Sequence, residues 1–373
     1  MSEDHVHNNA NEDFAKLITI LPAVRELYIR HVGDAFVIQT DNTYRNSSAG
    51  DEETLDIEPD EDIEAAFTSH VERRNQPPAR VSIRGIGTFS LSVGPRAGET
   101  RSMNGKSVVI TGGAQGFGEG LARGFAARGA YVTVADINKD GAEAVAKSIS
   151  QSDSVDAQGV YVDVSDEASV RGMIESAVRR YGGVDVMIAC AGILVAGGVE
   201  NITRADFDRV TAINYTGYFL CAKYAAMVMK QQSKYAENRM FDIIEINSKS
   251  GLEGSKANFV YAGSKFGGIG LTQSFALELA EYGIKVNAIC PGNLLDGPLW
   301  SDPERGLFRQ YLDAGKVPGA KNVGDVRRFY EAKVPLGRGC TVDDVMTAAA
   351  YLVVQQYETG QALPVTGGQV MLK

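Results

Sequence analysis

The chain has 373 residues, 44% of them apolar, enough to bury one large domain plus a smaller one or two ordinary domains. No run approaches the roughly 18–20 apolar residues of a membrane span, and the acidic opening MSEDHVHNNANEDFAKLITI does not read as a secretory leader. The net charge of −10 sits almost wholly in residues 1–100, with 18 acidic against 9 basic side chains, while the remainder has 29 against 28; neither part has the basic excess of a phosphate-backbone binder, which argues against nucleic acid.

Residues 1–12 read as a frayed terminus, and FAKLITILPAVRELYIRHV as an amphipathic stretch broken at Pro22 into a pair of helices. AFVIQT reads as a strand. DNTYRNSSAGDEETLDIEPDEDIEAAF reads as a solvated loop entering a helix with an acidic first turn. ARVSIRGIGTFSLSVG alternates between glycines, as two short strands or a hairpin would. Residues 1–100 therefore look like a small α+β extension without recognisable chemistry, expected to be separable from a folded remainder. From Gly105 the texture changes to β-branched runs alternating with helical stretches: SVVITG, GFGEGLARGFAARG, YVTVADI, GAEAVAKSIS, VYVDV, EASVRGMIESAVRRYG, DVMIACAG and onward to IKVNAICPG. That alternation predicts an α/β fold, a doubly wound parallel sheet with helices on both faces, over residues 104–373.

Cys190, Cys221, Cys290 and Cys340 stand in apolar contexts without CxxC spacing, so free buried thiols in a reducing cytoplasm are expected rather than disulfides or zinc. All four histidines (His5, His7, His31, His70) precede the sheet region. A Ser-His-Asp triad or a histidine metal site there is excluded, and no metal is expected.

VVITGGAQGFGEGLA follows a strand and opens a helix. Gly112 and Gly116 would allow a tight turn close to a pyrophosphate, and Gly118 would let the helix pack on the sheet while its first amides face the anion; a ligand-free βα turn is the plain alternative. Asp136, about twenty residues on, would accept both ribose hydroxyls and repel a 2′-phosphate, which favours NAD over NADP. Asp163 in VDV would accept from an adenine amino group or, equally, cap the next helix. In SKSGLEGSKANFVYAGSKFG, Tyr261 and Lys265 share a helix face, with Ser248 upstream. A phenol with a pKa near 10 is a poor base at neutral pH. A neighbouring ammonium favours its phenolate, making a proton donor and acceptor suited to interconverting alcohol and ketone.

TGGAQGFG, Asn214 in TAINYTGYF, Ser248, the Tyr261–Lys265 pair and VNAICPG together resemble the short-chain dehydrogenases/reductases, over about residues 104–373. The resemblance implies a seven-stranded doubly wound sheet and catalysis by Ser248, Tyr261, Lys265 and Asn214. Ser248 would steady the substrate oxygen and Tyr261 act as general acid/base. Lys265 would lower the tyrosine pKa and hold the nicotinamide ribose, and Asn214 would support a relay water. The NAD contacts would be Gly112, Gln115, Gly116, Phe117, Gly118, Asp136, Asp163, Val164, Ala191, Gly192, Tyr261, Lys265, Pro291, Gly292 and Leu294. A homo-oligomer, tetramer or dimer, would pair through the Tyr-bearing helix and the last strand, ALPVTGGQVMLK. One departure stands out: ACAG, with Ala189 and Cys190, replaces the family's Asn-Asn-Ala-Gly.

INSKSG, GSKFGGIGLTQSFALELAEYGI, GNLLDGPLW, KVPLGRGC and VTGGQVM further resemble the family's polyol-phosphate dehydrogenases, which oxidise a sugar-alcohol phosphate to its ketose phosphate with NAD. A phosphorylated substrate needs cations at the pocket mouth. Lys249, Lys256 and Arg338 are candidates, each reading equally as a solvated surface charge. Asn293 is a further substrate candidate, beside the nicotinamide carboxamide with Leu294, and Leu295 to about Val334, including Trp300, is the expected lid. An unphosphorylated polyol or other secondary alcohol is the alternative substrate, and a catalytically silent NAD-binding regulator the alternative role. LPAVREL and VSIRGIGTFSLSVG resemble the end of a class II aldolase domain, without the metal-binding histidines such an enzyme needs.

Overall fold

The computed structural model describes residues 3–32, 53–58, 60–91, 102–152, 155–304, 306–313 and 315–372. Helix α1 (Glu3–Val32) is followed by strand β1 (Thr54–Ile57), helix α2 (Ile63–Arg74) and the antiparallel pair β2 (Arg80–Ile83) and β3 (Gly87–Ser90). The expected hairpin is present. The AFVIQT strand lies outside the described residues. Thr54–Ile57, expected as part of a solvated loop, is instead a strand: TLDI alternates, buries Leu55 and Ile57, and pairs in parallel with β2. Helix α2 begins as expected on an acidic turn, with Asp62 capping the Ala65 amide.

Two expectations for α1 are corrected. The helix starts at Glu3, since no glycine or proline interrupts residues 3–21, and it runs unbroken through Pro22. Proline removes one helical hydrogen bond, but Leu21, Ala23 and Val24 around it are fully buried in one apolar core with α5 (Glu167–Tyr181) and α7 (Gly217–Ser233). Burial at roughly 25 cal/mol per Å² offsets the loss.

The sheet takes up β4 (Ser107–Thr111), β5 (Tyr131–Asp136), β6 (Ala157–Tyr161), β7 (Val186–Ala189), β8 (Phe241–Ile246), β9 (Ile284–Pro291) and β10 (Ala362–Val365), all parallel, in the order β10-β9-β8-β7-β4-β5-β6. Helices α3 (Gly116–Ala127), α4 (Lys139–Ser152) and α12 (Val342–Val354) cover one face; α5, α7 and α8 (Phe259–Leu279) cover the other, with α6 (Arg204–Thr211) leading into α7. The strands β4, β7, β8 and β9 are buried at every position because both faces are covered. The strand order reverses between β4 and β7, which opens a crevice beyond their C-terminal ends. Short helices α9 (Pro298–Ser301), α10 (Leu307–Asp313) and α11 (Val323–Glu331) close a small core of their own around Trp300, whose ring meets Tyr330 at 4.8 Å and Phe308 at 5.2 Å. The four cysteines are free, and no described helix is long and apolar enough to cross a membrane.

The packing crosses the sequence boundary at residue 100. Arg25 of α1 is fully buried at the N-terminal edge of the sheet, with Nη2 donating to Asp185 Oδ2 (2.6 Å) and Nη1 to Oδ1 (3.1 Å). Arg239 also reaches Asp185 (2.9 Å) and pairs with Glu26, which accepts from Gln232 (3.1 Å). Asp185 in turn accepts from the Ser107 amide (2.7 Å), so the network fastens α1 to the first residues of the sheet. Burial acts to raise the Asp185 carboxyl, but Arg25 and Arg239 outweigh it and hold it well below the usual carboxylate range. Removing one partner of such a network leaves uncompensated buried charge. Arg25→Met is expected to cost about 3–5 kcal/mol in denaturant unfolding, and Arg30→Met, at the partly exposed Arg30–Glu64 pair, about 0–1 kcal/mol. Deleting residues 1–100 is expected to give insoluble or strongly destabilised protein.

Candidate active site

The turn after β4 uses its three glycines for three reasons. Gly112 has φ +68°, and a Cβ there would stand 2.9 Å from Ala191 Cα. Gly116 has φ +61° and open space where a Cβ would project. A Cβ on Gly118 would stand 2.0 Å from Gly112 O, so only glycine lets α3 start this close to the strand. Gln115 precedes α3 in extended conformation and makes no side-chain cap, which leaves the first helical amides without a side-chain partner. Phe117 packs on the α3 side of the sheet.

Asp136 ends β5 half-buried, its Oδ2 accepting from the Ala114 amide (3.0 Å) and its Oδ1 from the Asn138 amide (2.9 Å). Both oxygens keep a second lone pair for ligand hydroxyls. Asp163 does not cap α5: its Oδ1 accepts from the Ser165 amide (2.9 Å) and hydroxyl (2.6 Å) in the turn before the helix, and Asp166 is the cap. Val164 beside it is buried and abuts Gly217. At the ACAG departure, Thr111 Oγ1 accepts from the Cys190 (3.1 Å) and Ala191 (3.2 Å) amides, which ties this stretch to the end of β4. A Cβ on Gly192 would stand 3.4 Å from Asn214 Oδ1, and the Gly292 amide ties the end of β9, at Pro291, to Val365 O (2.9 Å).

Tyr261 and Lys265 lie one turn apart in the first two turns of α8. Lys265 is only 4% exposed; its Nζ donates to Ile246 O (2.7 Å) and meets Glu245 Oε1 at 3.3 Å. Burial acts to lower the Lys265 pKa, and Glu245 and Tyr261 together lift it above the ordinary value, so the ammonium stays charged. Ser248 follows β8 and begins a short 3₁₀ turn (Lys249–Gly251), its Oγ accepting from the Ser250 amide at 3.1 Å. That contact uses the hydroxyl's lone pair and leaves its proton free to donate. Asn214 sits in a π-helical turn (Ala212–Thr216), a geometry frequent at functional sites. Its side chain clasps both Ile193 backbone groups (2.9 Å each) and reaches Ser264 Oγ (3.2 Å). Asn214, Lys265, Glu245, Thr111 and Tyr218 line a cavity of about 10 Å³, room for a single water.

Two residues of this centre escaped the sequence reading. Asn247 donates to Lys265 O (2.8 Å) and Glu245 Oε2 (2.7 Å) and accepts from the Ser248 amide (2.8 Å), so it joins the two catalytic segments. Their signal was Glu-Ile-Asn at the end of a mostly apolar strand, in which Asp242 is the other polar residue.

The substrate-side candidates separate. Arg338 is exposed and bound through both Nη atoms to Asp344 (2.6 and 2.9 Å) at the start of α12. Lys256 is exposed. Lys249 is half-buried, without a hydrogen bond or ion pair among the described residues; burial lowers its pKa, Glu253 opposes, and the Lys333 charge lowers it further. Asn293, with its carbonyl accepting from the Leu295 and Cys340 amides, lines a cavity of about 300 Å³ with Gly292, Arg338 and Val365. Leu294 packs on Gly297.

Residues 106–301 match the family described as short chain dehydrogenase. The chain belongs to the short-chain dehydrogenase family. Sorbitol-6-phosphate 2-dehydrogenase of Escherichia coli K12 is 42% identical over 273 residues, covering 72% of this chain and all of the relative. The crystal structure of sorbitol-6-phosphate 2-dehydrogenase from Erwinia amylovora is 38% identical with TM-score 0.66, over 71% of this chain and all of that one. The 3-ketoacyl-(acyl-carrier-protein) reductase of Brucella melitensis, in complex with NADH, is 29% identical with TM-score 0.60, over 72% and 99%. The chain is thus an oxidoreductase of a family that uses nicotinamide cofactors. The open space at Gly116 and the fixed Asp136 carboxylate fit a dinucleotide. Among the described residues no cluster of three or more His, Cys, Asp or Glu is placed to hold a metal.

The glycine geometry separates stability from binding. Gly116→Ala is expected to cost only about 1–2 kcal/mol of stability, for a left-handed alanine, while weakening NADH binding in a fluorescence titration at least tenfold. Gly118→Ala is expected to cost more stability than Gly116→Ala in the same unfolding experiment.

Proposed function

We propose that this short-chain dehydrogenase interconverts a sugar-alcohol phosphate and its ketose phosphate with NAD, sorbitol 6-phosphate and fructose 6-phosphate being the pair to test first. Lys249 is the observation that carries the phosphate. Its ammonium is half-buried, lacks an ion pair among the described residues and follows Ser248 directly; burial lowers its pKa despite the attraction of Glu253, and the Lys333 charge adds a smaller repulsion. A phosphate dianion there would relieve both the desolvation and the repulsion through charge-assisted bonds. Arg338, already bound to Asp344, and the exposed Lys256 are weaker candidates. The relatives named for sorbitol 6-phosphate support the same reading.

In the mechanism this supports, Ser248 donates to the substrate oxygen and holds it against Tyr261. The Tyr261 phenolate, favoured by the Lys265 ammonium one turn away, takes the carbinol proton and returns it in ketone reduction. Bound along Gly112–Gly118 and Asp136, the cofactor would supply the hydride acceptor. Asn214 and Lys265 share the small cavity through which a water would connect the pair to solvent. NAD rather than NADP follows from Asp136, whose charge opposes a 2′-phosphate; Lys139 nearby is engaged with Glu143 (3.5 Å). Free thiols fit a reducing cytoplasm. The exposed Phe219 of α7 and Phe266 and Leu277 of α8 suit pairing into a dimer or tetramer.

A panel of phosphorylated and plain sugar alcohols, read by NADH absorbance, tests the substrate. Sorbitol 6-phosphate is expected to exceed sorbitol in kcat/KM, and equal turnover of the two would defeat the phosphate reading. Lys249→Met is expected to lower kcat/KM for the phosphorylated substrate by about 10- to 100-fold, the worth of a charged hydrogen bond, and to narrow the ratio to sorbitol. Tyr261→Phe is expected to lower kcat by about 10²- to 10⁴-fold; unchanged turnover would overturn the mechanism.

A further inference from the structure

Glu245 is a carboxylate in a place where the proton relay described above uses none. It lies in β8, is 1% exposed, and faces α8. Such a group is stable there only if paired and hydrogen-bonded. Lys265 Nζ at 3.3 Å supplies the charge and Asn247 Nδ2 at 2.7 Å the hydrogen bond. Room for it comes from Gly268, where a Cβ would stand 2.5 Å from both carboxylate oxygens. Strand, helix and asparagine are thus all shaped around this one acid.

We propose that Glu245 is a positioning residue for the Tyr261–Lys265 pair: its carboxylate anchors the Lys265 ammonium and partly offsets that charge, and so sets the pH at which Tyr261 changes from acid to base. The inference rests on the roles assigned to Tyr261 and Lys265 above, and not on which alcohol is the substrate. Removing the negative charge leaves the ammonium unopposed, so the phenolate forms at lower pH. The remaining titratable neighbours do not blur this. Burial pushes the thiols of Cys190, Cys221 and Cys290 up to about 12, and the Tyr218 phenol, bonded to Thr272, higher still. The opposed charges in this space are then Lys265 and Glu245, with the Asp136 carboxylate also acting on Cys190. Burial raises the Glu245 carboxyl and Lys265 opposes it, so the two titrate as a coupled pair.

The test is the pH profile of Glu245→Gln, an amide of the same shape. The acid limb of alcohol oxidation and the alkaline limb of ketone reduction are both expected to move down by about one pH unit, the scale of one charge across a short buried distance. Glu245→Asp, which keeps the charge, is expected to hold both limbs near wild type while lowering kcat. Unmoved limbs in Glu245→Gln, or limbs moved upward, would overturn the proposal. Should Glu245→Gln fail to fold, infrared difference spectra of wild type and Lys265→Met decide it. A protonated-carboxyl band at neutral pH is expected in Lys265→Met and absent from wild type; the band in both, or in neither, refutes the pairing. If Tyr261→Phe is inactive and the Glu245→Gln limbs do not move, only this inference falls. If Tyr261→Phe is fully active, the reading beneath it falls as well.

Discussion

A buried ammonium dictates the geometry of the catalytic end. Lys265, almost without solvent, needs partners within reach, and they come from β8: the Ile246 carbonyl and the Glu245 carboxylate. For them to reach it, α8 has to lie hard against the sheet. Glycine makes that approach possible, since a Cβ on Gly267 would stand 2.7 Å from the Tyr215 ring and one on Gly268 would meet Glu245. Once α8 is seated, Tyr261 one turn earlier and Ser248 at the end of β8 have their relative positions set by rigid elements rather than by loops. Asn247 completes the join, its amide nitrogen donating to the helix at Lys265 O and its oxygen accepting from the Ser248 backbone N–H.

The sheet, its helices, the glycine turn and the Tyr261–Lys265 spacing were legible because each has a local signature: buried β-branched runs, a strand–glycine–helix sequence, an i,i+4 pair. Long-range burial was not legible. Pro22 reads as a break in isolation, yet the apolar face around it is held by α5 and α7, some 150 to 200 residues away in sequence, and the helix continues. Arg25 lies in the amphipathic N-terminal stretch and Asp185 at the head of the DVMIACAG run, 160 residues later; only the fold brings them to 2.6 Å. Glu245 and Asn247 were not assigned a role for a related reason. A polar residue in a strand announces function only when its partner, here on another element, is known.

The N-terminal helix solves the same physical problem at the opposite end of the sheet. There, two arginines and two acids neutralise one another, with Gln232 and the Ser107 amide satisfying further lone pairs. Such a closed network offers nothing to a ligand and fastens the extension to β4 and β7. The E. coli relative is matched over its full length by 72% of this chain, so the helix is an addition to that shared unit. Its buried leucines and valines nevertheless belong to the same apolar core as α5 and α7.

The contrast between the two networks indicates which charges are structural and which are available. At the N-terminal edge, Arg25 and Arg239 have their acids. At the C-terminal edge, Arg338 has Asp344 and Lys265 has Glu245, whereas Lys249 stands half-buried with a second lysine's field upon it and no acid in hydrogen-bonding reach among the described residues. Desolvating an ammonium costs free energy, and Glu253, attracting Lys249 from beyond hydrogen-bonding distance, outweighs the Lys333 repulsion without returning all of that cost. An uncompensated cost of this kind, next to the hydroxyl that would hold the reacting oxygen, is what an anionic substrate group would offset on binding. The same reasoning makes Lys249 a matter of specificity rather than chemistry. In the proposed reaction its charge would act on the part of the substrate that does not react, while the proton would move between Tyr261 and the carbinol oxygen, beside Lys265 and the carboxylate behind it.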